Sequence, residues 1–479
     1  MSSAHKERII PALVRLMPFF LLAILSTWLV SGNIFFWDTV QLGAKHATFF
    51  YDNNFSVWML PDDADSGHIP AFGIYLALCW SIFGKSLAVS HFAMLPFILG
   101  IIWQSYLLIQ KFISPEFRLP ALVVFLADPT LLAQSTLVSP DIPLIFLFLT
   151  GLNALLSGKK YLAMTAVFGL ALVSMRGMMA AFALLLIDLV YSLTFTDLKQ
   201  LLVQLIKKAL IYSPALLVFV AYNLYHYRVK GWIGYHEDSP WAECFQRVGI
   251  GGVFYNTGIL AWRMLDFGRV FLWGASLLII WAYCKKSFAN RIARQLLVIF
   301  ILTLASLSVS FLLYKNLSGH RYLLPAILMF SMFTIYLVTE ILTGNKIKYI
   351  LLTILTLGLL SGNLWIYPRH IAQGWDASLA HLPYYGLREK IMQHLAGQEI
   401  EVSDVASVFP NNMEFRYLDL SDNRQQHPNL DINTSQYILY SNVFNDVSDE
   451  ELVILDRDFL ILKEVKKAGI YFRIYHRNK

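Results

Sequence analysis

The sequence predicts a polytopic α-helical membrane protein of about eleven spans, closed by a small C-terminal extracytoplasmic α/β domain. Three observations predict it. Hydrophobic residues make up 57% of the 479 and charged residues only 15%, where soluble domains carry about 25% charge. Apolar stretches approaching the roughly 20 residues of a spanning helix recur along the first three quarters of the chain. The polarity that remains is uneven: residues 367–479 hold 12 Lys+Arg and 16 Asp+Glu, while residues 1–366 hold 26 and 16. A basic, apolar body of spans (1–366) is therefore followed by a mildly acidic, water-soluble tail (367–479). This excludes a purely soluble enzyme and a disordered chain. The net charge of +6 is too small to suggest nucleic acid, and three Cys match neither a disulfide framework nor a metal motif.

The apolar stretches run 10–31, 70–84, 88–111, 119–137, 141–157, 161–175, 177–194, 205–226, 267–284, 293–314, 322–343 and 347–366. No Ala-x-Ala cleavage site follows the first, so it reads as a retained span. Lys6, Arg8 and Arg15 flank it and place the N-terminus in the cytosol. The basic clusters at Lys111/Arg118, Lys159/Lys160, Lys199/Lys207/Lys208, Lys285 to Arg294 and Lys346/Lys348 read as further cytosolic turns. Alternation then requires that 70–84 not cross, leaving eleven spans and an outward-facing tail. The first outer loop is 32–87 and a second long one is 227–266. Long loops without a strand pattern are often functional, so a site is expected on the outer face.

The outer segments carry the candidate chemistry. Asp38 follows the first span in Ile34-Phe35-Phe36-Trp37-Asp38-Thr39. A carboxylate among aromatics, partly dehydrated, suits a general base acting on a hydroxyl; it equally suits a helix cap or an interfacial anion. Asp62, Asp63, Asp65 and His68 could hold a divalent cation, or form a solvated loop before a helix. Asp141, in Ser139-Pro140-Asp141, is an ionisable group near membrane depth or an N-cap. Arg176 and Arg321 stand outside against the charge bias. Guanidinium forks suit phosphate; the plainer alternative is snorkelling to headgroups. No Walker A motif, GxGxxG, HExxH or CxxC is found, which argues against a built-in ATP-driven pump and a zinc protease.

In order along the chain, an acid just after the first span, Gly67-His68-Ile69-Pro70, an apolar helix, Phe83-Gly84-Lys85-Ser86, Asp128-Pro129, Ser139-Pro140-Asp141 and His320-Arg321-Tyr322-Leu323-Leu324-Pro325 resemble the GT-C superfamily of glycosyltransferases. The bacterial protein O-mannosyltransferase and aminoarabinose transferase type is the nearest form. The resemblance covers about residues 1–366. The sequence departs from the pattern at Thr39, where many relatives have a second acid, and at Ile69, where two successive prolines are common.

The resemblance implies an inverting transferase that takes a hexosyl or pentosyl group from a polyprenyl-phosphate carrier. The acceptor would be a hydroxyl of a lipid, glycan or protein at the outer face of a bacterial inner membrane. Asp38 is then the base. Arg321 and, second, Arg176 receive the phosphate charge, with Tyr322 beside Arg321, and Lys85 joins them if its helix stays outside. His68 and Asp141 position a substrate or hold a divalent ion. The rival reading is a transporter or flippase for a lipid-linked sugar, which predicts more ionisable residues at span centres than are present. In the tail, 385–395 reads as helix, 399–408, 415–420, 435–443 and 470–476 as strands, and 451–467 gives mixed signals.

Overall fold

A computed structural model describes residues 9–192, 197–236, 242–315 and 318–478. Lys6 and Arg8, and residues 237–241 of the second long loop, lie outside the described residues. Among the described residues six helices are long and apolar enough to cross a membrane: Ile10–Val30, Leu87–Phe112, Lys199–Lys230, Arg291–Leu313, His320–Ile341 and Asn345–Leu364. A seventh crossing is added if Ile250–Leu265 and Val270–Ala282, bent by 88°, count as one span. The eleven apolar stretches expected to cross are thus not eleven long helices. Ala71–Phe83, Asp141–Leu156 and Lys160–Val173 are apolar but short.

The stretch 119–137 is not one helix. It breaks into Arg118–Leu126 and Pro129–Ser135. Pro129 lacks the N–H needed to continue the first helix, and the Asp128 carboxylate caps the second, accepting from the amides of Thr130 and Leu131 at 2.9 and 3.2 Å. The second long loop also shrinks. One helix runs on to Lys230 and another begins at Ile250, leaving 231–249 between them. Ile250, Phe254 and Tyr255 on the new helix are exposed, while its Asn256 and Arg263 are buried. Apolar residues outside and polar residues inside is an inverted amphipathic face, and it made the segment read as loop.

The helix His320–Ile341 is the centre of the bundle, with 94% of its apolar window buried. A helix that is apolar all round must be buried or in lipid. The basic turns gather at one end of the bundle. There the Ser114 amide and hydroxyl both donate to Glu340 at 2.9 Å, Lys286 donates to the Ile341 carbonyl at 2.5 Å, and Lys348 lies over the Phe117 ring. The tail docks at the other end.

The tail is a four-stranded sheet of order β1-β2-β4-β3, with β1 Val405–Ala406, β2 Tyr437–Ser441, β3 Phe459–Lys467 and β4 Ile470–Arg477. β1 runs parallel to β2, and the other pairs are antiparallel. The helix Pro383–Gly397 covers one face. The mixed segment resolves at Asp458: a helix Asp449–Asp458, begun by a Ser448/Glu451 capping box, then β3. Of 399–408 only two residues pair as strand. The strand expected at 415–420 is a short helix, Phe415–Leu418. Its Leu418 carbonyl accepts from the Phe35 amide at 2.8 Å, so the segment answers to the loop that follows the first helix instead of to a strand. In return Phe36 and Leu137 of the body enter the tail's apolar core.

His381 and His427 are fully buried in this tail, and burial pushes both imidazoles down to about 4. Folded, they stay neutral at pH values where the unfolded chain, with a value near 6.5, takes up a proton. The tail therefore loses stability as pH falls from about 6.5 to about 4. Protection factors of peptides covering β2 and β4, each taken against the intrinsic exchange rate at its own pH, should fall as the pH drops across that window, and His427→Gln should flatten the dependence. Protection that is equal at both ends of the window would refute this linkage.

Candidate active site

The first helix ends at Val30, and the chain turns through Phe35-Phe36-Trp37-Asp38 before a π-helical segment, Val40–Lys45. Trp37 holds a left-handed backbone, φ 51°, a sparsely populated state for a bulky residue. Thr39 stabilises the turn: its hydroxyl accepts from the Phe36 amide at 2.9 Å and donates to the Phe36 carbonyl at 2.7 Å. A second acid at position 39 would lack the donor half of that exchange. Phe36 stacks on His381 of the tail at 5.1 Å, and Trp37 lies on Phe409 at 6.0 Å. With both neighbours fixed, the Asp38 carboxylate is aimed at the head of the central helix.

There it meets Arg321. The Arg321 guanidinium donates through Nη2 to Asp38, its Nε lies 3.1 Å from the Asp376 carboxylate, and its Nη1 is 3.7 Å from Asp141. The second oxygen of Asp141 accepts from Arg176 at 2.5 Å. Both guanidiniums face the ring of Tyr322, at 4.3 Å for Arg176 and 5.1 Å for Arg321. The Arg321 side chain is only 6% exposed. Burial holds the Asp376 carboxyl above the usual carboxylate range even though Arg321 pulls it down.

Two cavities meet at this cluster. One, of about 350 Å³, is lined by Asp38, His68, Arg176 and Tyr322 at its polar end and by methionines and aromatics such as Met178 and Phe219 elsewhere. An apolar cavity of about 510 Å³ that also includes Met178 extends along the helices carrying Leu185, Leu205 and Tyr212. The other, of about 380 Å³, lies under the tail and is polar: Arg263, Asp376, Asp446 and Gln373 line it. Asp38 and Tyr322 belong to the walls of both.

The structure thus brings together Asp38, Asp141, Arg176, Arg321 and Tyr322, with His68 facing the same inner cavity. Burial, aided by Arg176, pushes the His68 imidazole down to about 4, so it is neutral at neutral pH. Lys85 is placed elsewhere. It lies beyond the far end of the helix Ala71–Phe83, about 20 Å long, where its ammonium is 3.9 Å from Asp52 and lies over Tyr51 and Trp80. The acid cluster is also divided, each carboxylate having its own base: Asp62 with Lys230, Asp63 with Lys45, Asp65 with His226. Among the described residues no group of three or more His, Cys, Asp or Glu is placed to hold a metal ion.

Sequence reasoning assigned no role to the second tier of polar residues. Asp376 is one of 16 acids in the tail and carries no local signal. Asp128 is bridged by Arg269 at 2.8 and 2.9 Å, both side chains essentially inaccessible. Asp266 accepts from His320 at 2.8 Å and from Tyr367, with Arg263 3.6 Å away. The ionisable residues at the span ends were the available clue.

No protein-family model matches the sequence, and no curated protein matches it significantly. Solved structures do match. The crystal structure of ArnT from Cupriavidus metallidurans in the apo state aligns over 97% of this chain and 98% of that one, with a TM-score of 0.53 and 12% identity. The chain has the ArnT fold. The same ArnT bound to undecaprenyl phosphate aligns over 95% of this chain and 97% of that one, with a TM-score of 0.53 and 10% identity. Arabinofuranosyltransferase AftD from Mycobacteria aligns over 96% of this chain and 40% of its own, with a TM-score of 0.49 and 12% identity. The likeness to ArnT runs through body and tail together, and the fold expected from the order of the motifs is the fold found.

Arg269→Met would leave the Asp128 carboxylate buried without its partner, a loss of about 3–5 kcal/mol for such pairs. Thermal unfolding in detergent should show it, and the double variant Asp128→Leu/Arg269→Met should recover part of the loss. A single variant as stable as the parent would mean that the pair contributes nothing to holding the broken helix.

Proposed function

We propose that the chain is a glycosyltransferase that moves a sugar from a polyprenyl-phosphate carrier to an acceptor hydroxyl, with inversion, at the end of the membrane where the tail sits. The observation that carries this is the shared wall. A base and a phosphate-binding fork stand between one cavity suited to an apolar chain and another suited to a polar substrate. A lipid-linked donor needs the first, with its prenyl chain along Met178 and its phosphate at the polar end. An acceptor needs the second. The ArnT whose fold this chain shares has been crystallised with undecaprenyl phosphate, which supports the same class of donor here.

In this reading Asp38 takes the proton of the acceptor hydroxyl as its oxygen attacks the anomeric carbon from the side opposite the phosphate. The new glycosidic bond forms as the carbon–phosphate oxygen bond breaks, and the lipid phosphate leaves with the electron pair. Arg321 and Arg176 receive the charge that develops on it, in a setting where fixed donors act strongly. Arg321 serves Asp38 and the phosphate with one guanidinium, so base and leaving group are held in register. His68, neutral, is suited to hydrogen-bond the sugar. The acceptor side, lined by tail residues, selects among lipid, glycan and protein hydroxyls. Residues 1–366 form the transferase body and 367–479 the acceptor-side domain. The basic turns face the cytosol of a bacterial inner membrane and the tail lies outside.

Purified protein in detergent, given a radiolabelled polyprenyl-phosphate sugar and candidate acceptors, should transfer label. Asp38→Asn should lower the rate by about 10²-fold or more, as loss of a general base does, while still binding donor. Label transfer undiminished by the substitution would remove Asp38 as base. Movement of the donor across vesicles without transfer to any acceptor would favour the transporter instead.

A further inference from the structure

The tail brings the Asp376 carboxylate against Arg321, and the way it is held there is specific. Asp376 sits in a short turn, Trp375–Ala377, with Trp375 buried in the tail core. Two side chains of the broken helix grip that turn by its backbone: Gln134 donates to the Asp376 carbonyl at 2.8 Å, and Thr130 to the Ala377 carbonyl at 3.1 Å. Thr130 in turn accepts from Arg269 at 2.6 Å, and Arg269 is fixed by Asp128. On the other side Gly374 passes so close to His320 that a Cβ there would lie 2.8 Å from the imidazole Nδ1. His320 is the residue before Arg321. The turn is therefore fastened to both body elements that frame the site, and the side chain it presents touches Arg321 at Nε.

We propose that Asp376 is a positioning residue of the transferase site, set by the tail to hold the Nε edge of Arg321 so that the Nη edge stays turned to Asp38 and the donor phosphate. A guanidinium is a planar fork with donors on defined edges. Asp38, and Asp141 at 3.7 Å, hold only the Nη end of the fork, which leaves its Nε edge free to tilt; an acid on Nε removes that tilt. The same carboxylate adds a negative charge close to where a phosphate must bind. It therefore opposes donor binding while fixing the geometry of transfer. This rests on the reading that Arg321 receives the donor phosphate, and it predicts a split: without the Asp376 charge, donor binds more tightly and turns over more slowly.

The test is a double-mutant cycle on binding of undecaprenyl phosphate to the full chain in detergent, with Asp376→Asn, Arg321→Gln and the pair. Asp376→Asn should tighten binding by about three- to tenfold, and the effect should vanish in the Arg321→Gln background. In the transfer assay Asp376→Asn should lower kcat and KM together, and Asp376→Glu should recover part of kcat. Each variant's thermal midpoint is measured beside it. An Asp376→Asn protein that binds and turns over like the parent would overturn the proposal. So would an effect on binding that persists without Arg321, or weaker binding that merely follows a lower midpoint. Arg321→Gln that leaves binding of undecaprenyl phosphate unchanged is a separate result: it would defeat the donor-phosphate reading itself.

Discussion

Arg321 places the severest constraint on this molecule. A guanidinium does not give up its proton in a protein, so burying one at the head of the central helix demands neutralising partners. Three acids meet that demand, and they come from three distant parts of the chain: Asp38 from the loop after the first helix, Asp141 from the start of a body helix and Asp376 from the tail. Much of the local architecture follows from delivering them. Trp37 adopts a left-handed backbone between two aromatic contacts, and Asp38 is the next residue. The 119–137 stretch gives up being a single helix, and the piece after the break carries the two side chains that seat Asp376.

The same end of the bundle concentrates other buried pairs: Asp128 with Arg269, Asp266 with His320, Asp65 with His226. None of these would survive singly in an apolar interior, since an unpaired buried charge is costly. Together they make one end of a hydrophobic bundle rigid and polar while leaving the apolar cavities along Met178 and Phe219 undisturbed. The tail belongs to that polar end. It shares Phe36 and Leu137 with the body's core and lines the cavity beneath it with Gln373 and Asp376.

Much of this was legible in the sequence, for a physical reason. Asp38, Asp141, Arg176 and Arg321 are charges where charge is expensive, so each stood out against its apolar neighbours. Asp376 is one of 16 acids in a tail where acids are ordinary, and only the fold shows where it points. Lys85 was expected to join the phosphate partners if its helix stayed outside, but that helix carries it away from the cluster, to Asp52. The Asp128-Pro129 pair did carry a helix-break signal, but hydrophobicity averaged over 119–137 concealed it. In the tail, alternation correctly marked β4, whereas Phe415–Leu418 looked like strand because its buried side chains answer to the loop after the first helix. The overall architecture came through because the order of weak motifs along the body reflects an order of elements, and that order is the ArnT fold.

The most direct measurement is a structure of this protein with undecaprenyl phosphate bound. The account predicts phosphate oxygens within hydrogen-bond reach of Arg321 or Arg176 and the prenyl chain running past Met178 between the helices. A phosphate lodged instead against Arg263 in the cavity under the tail, or a chain lying outside the Met178 groove, would contradict it.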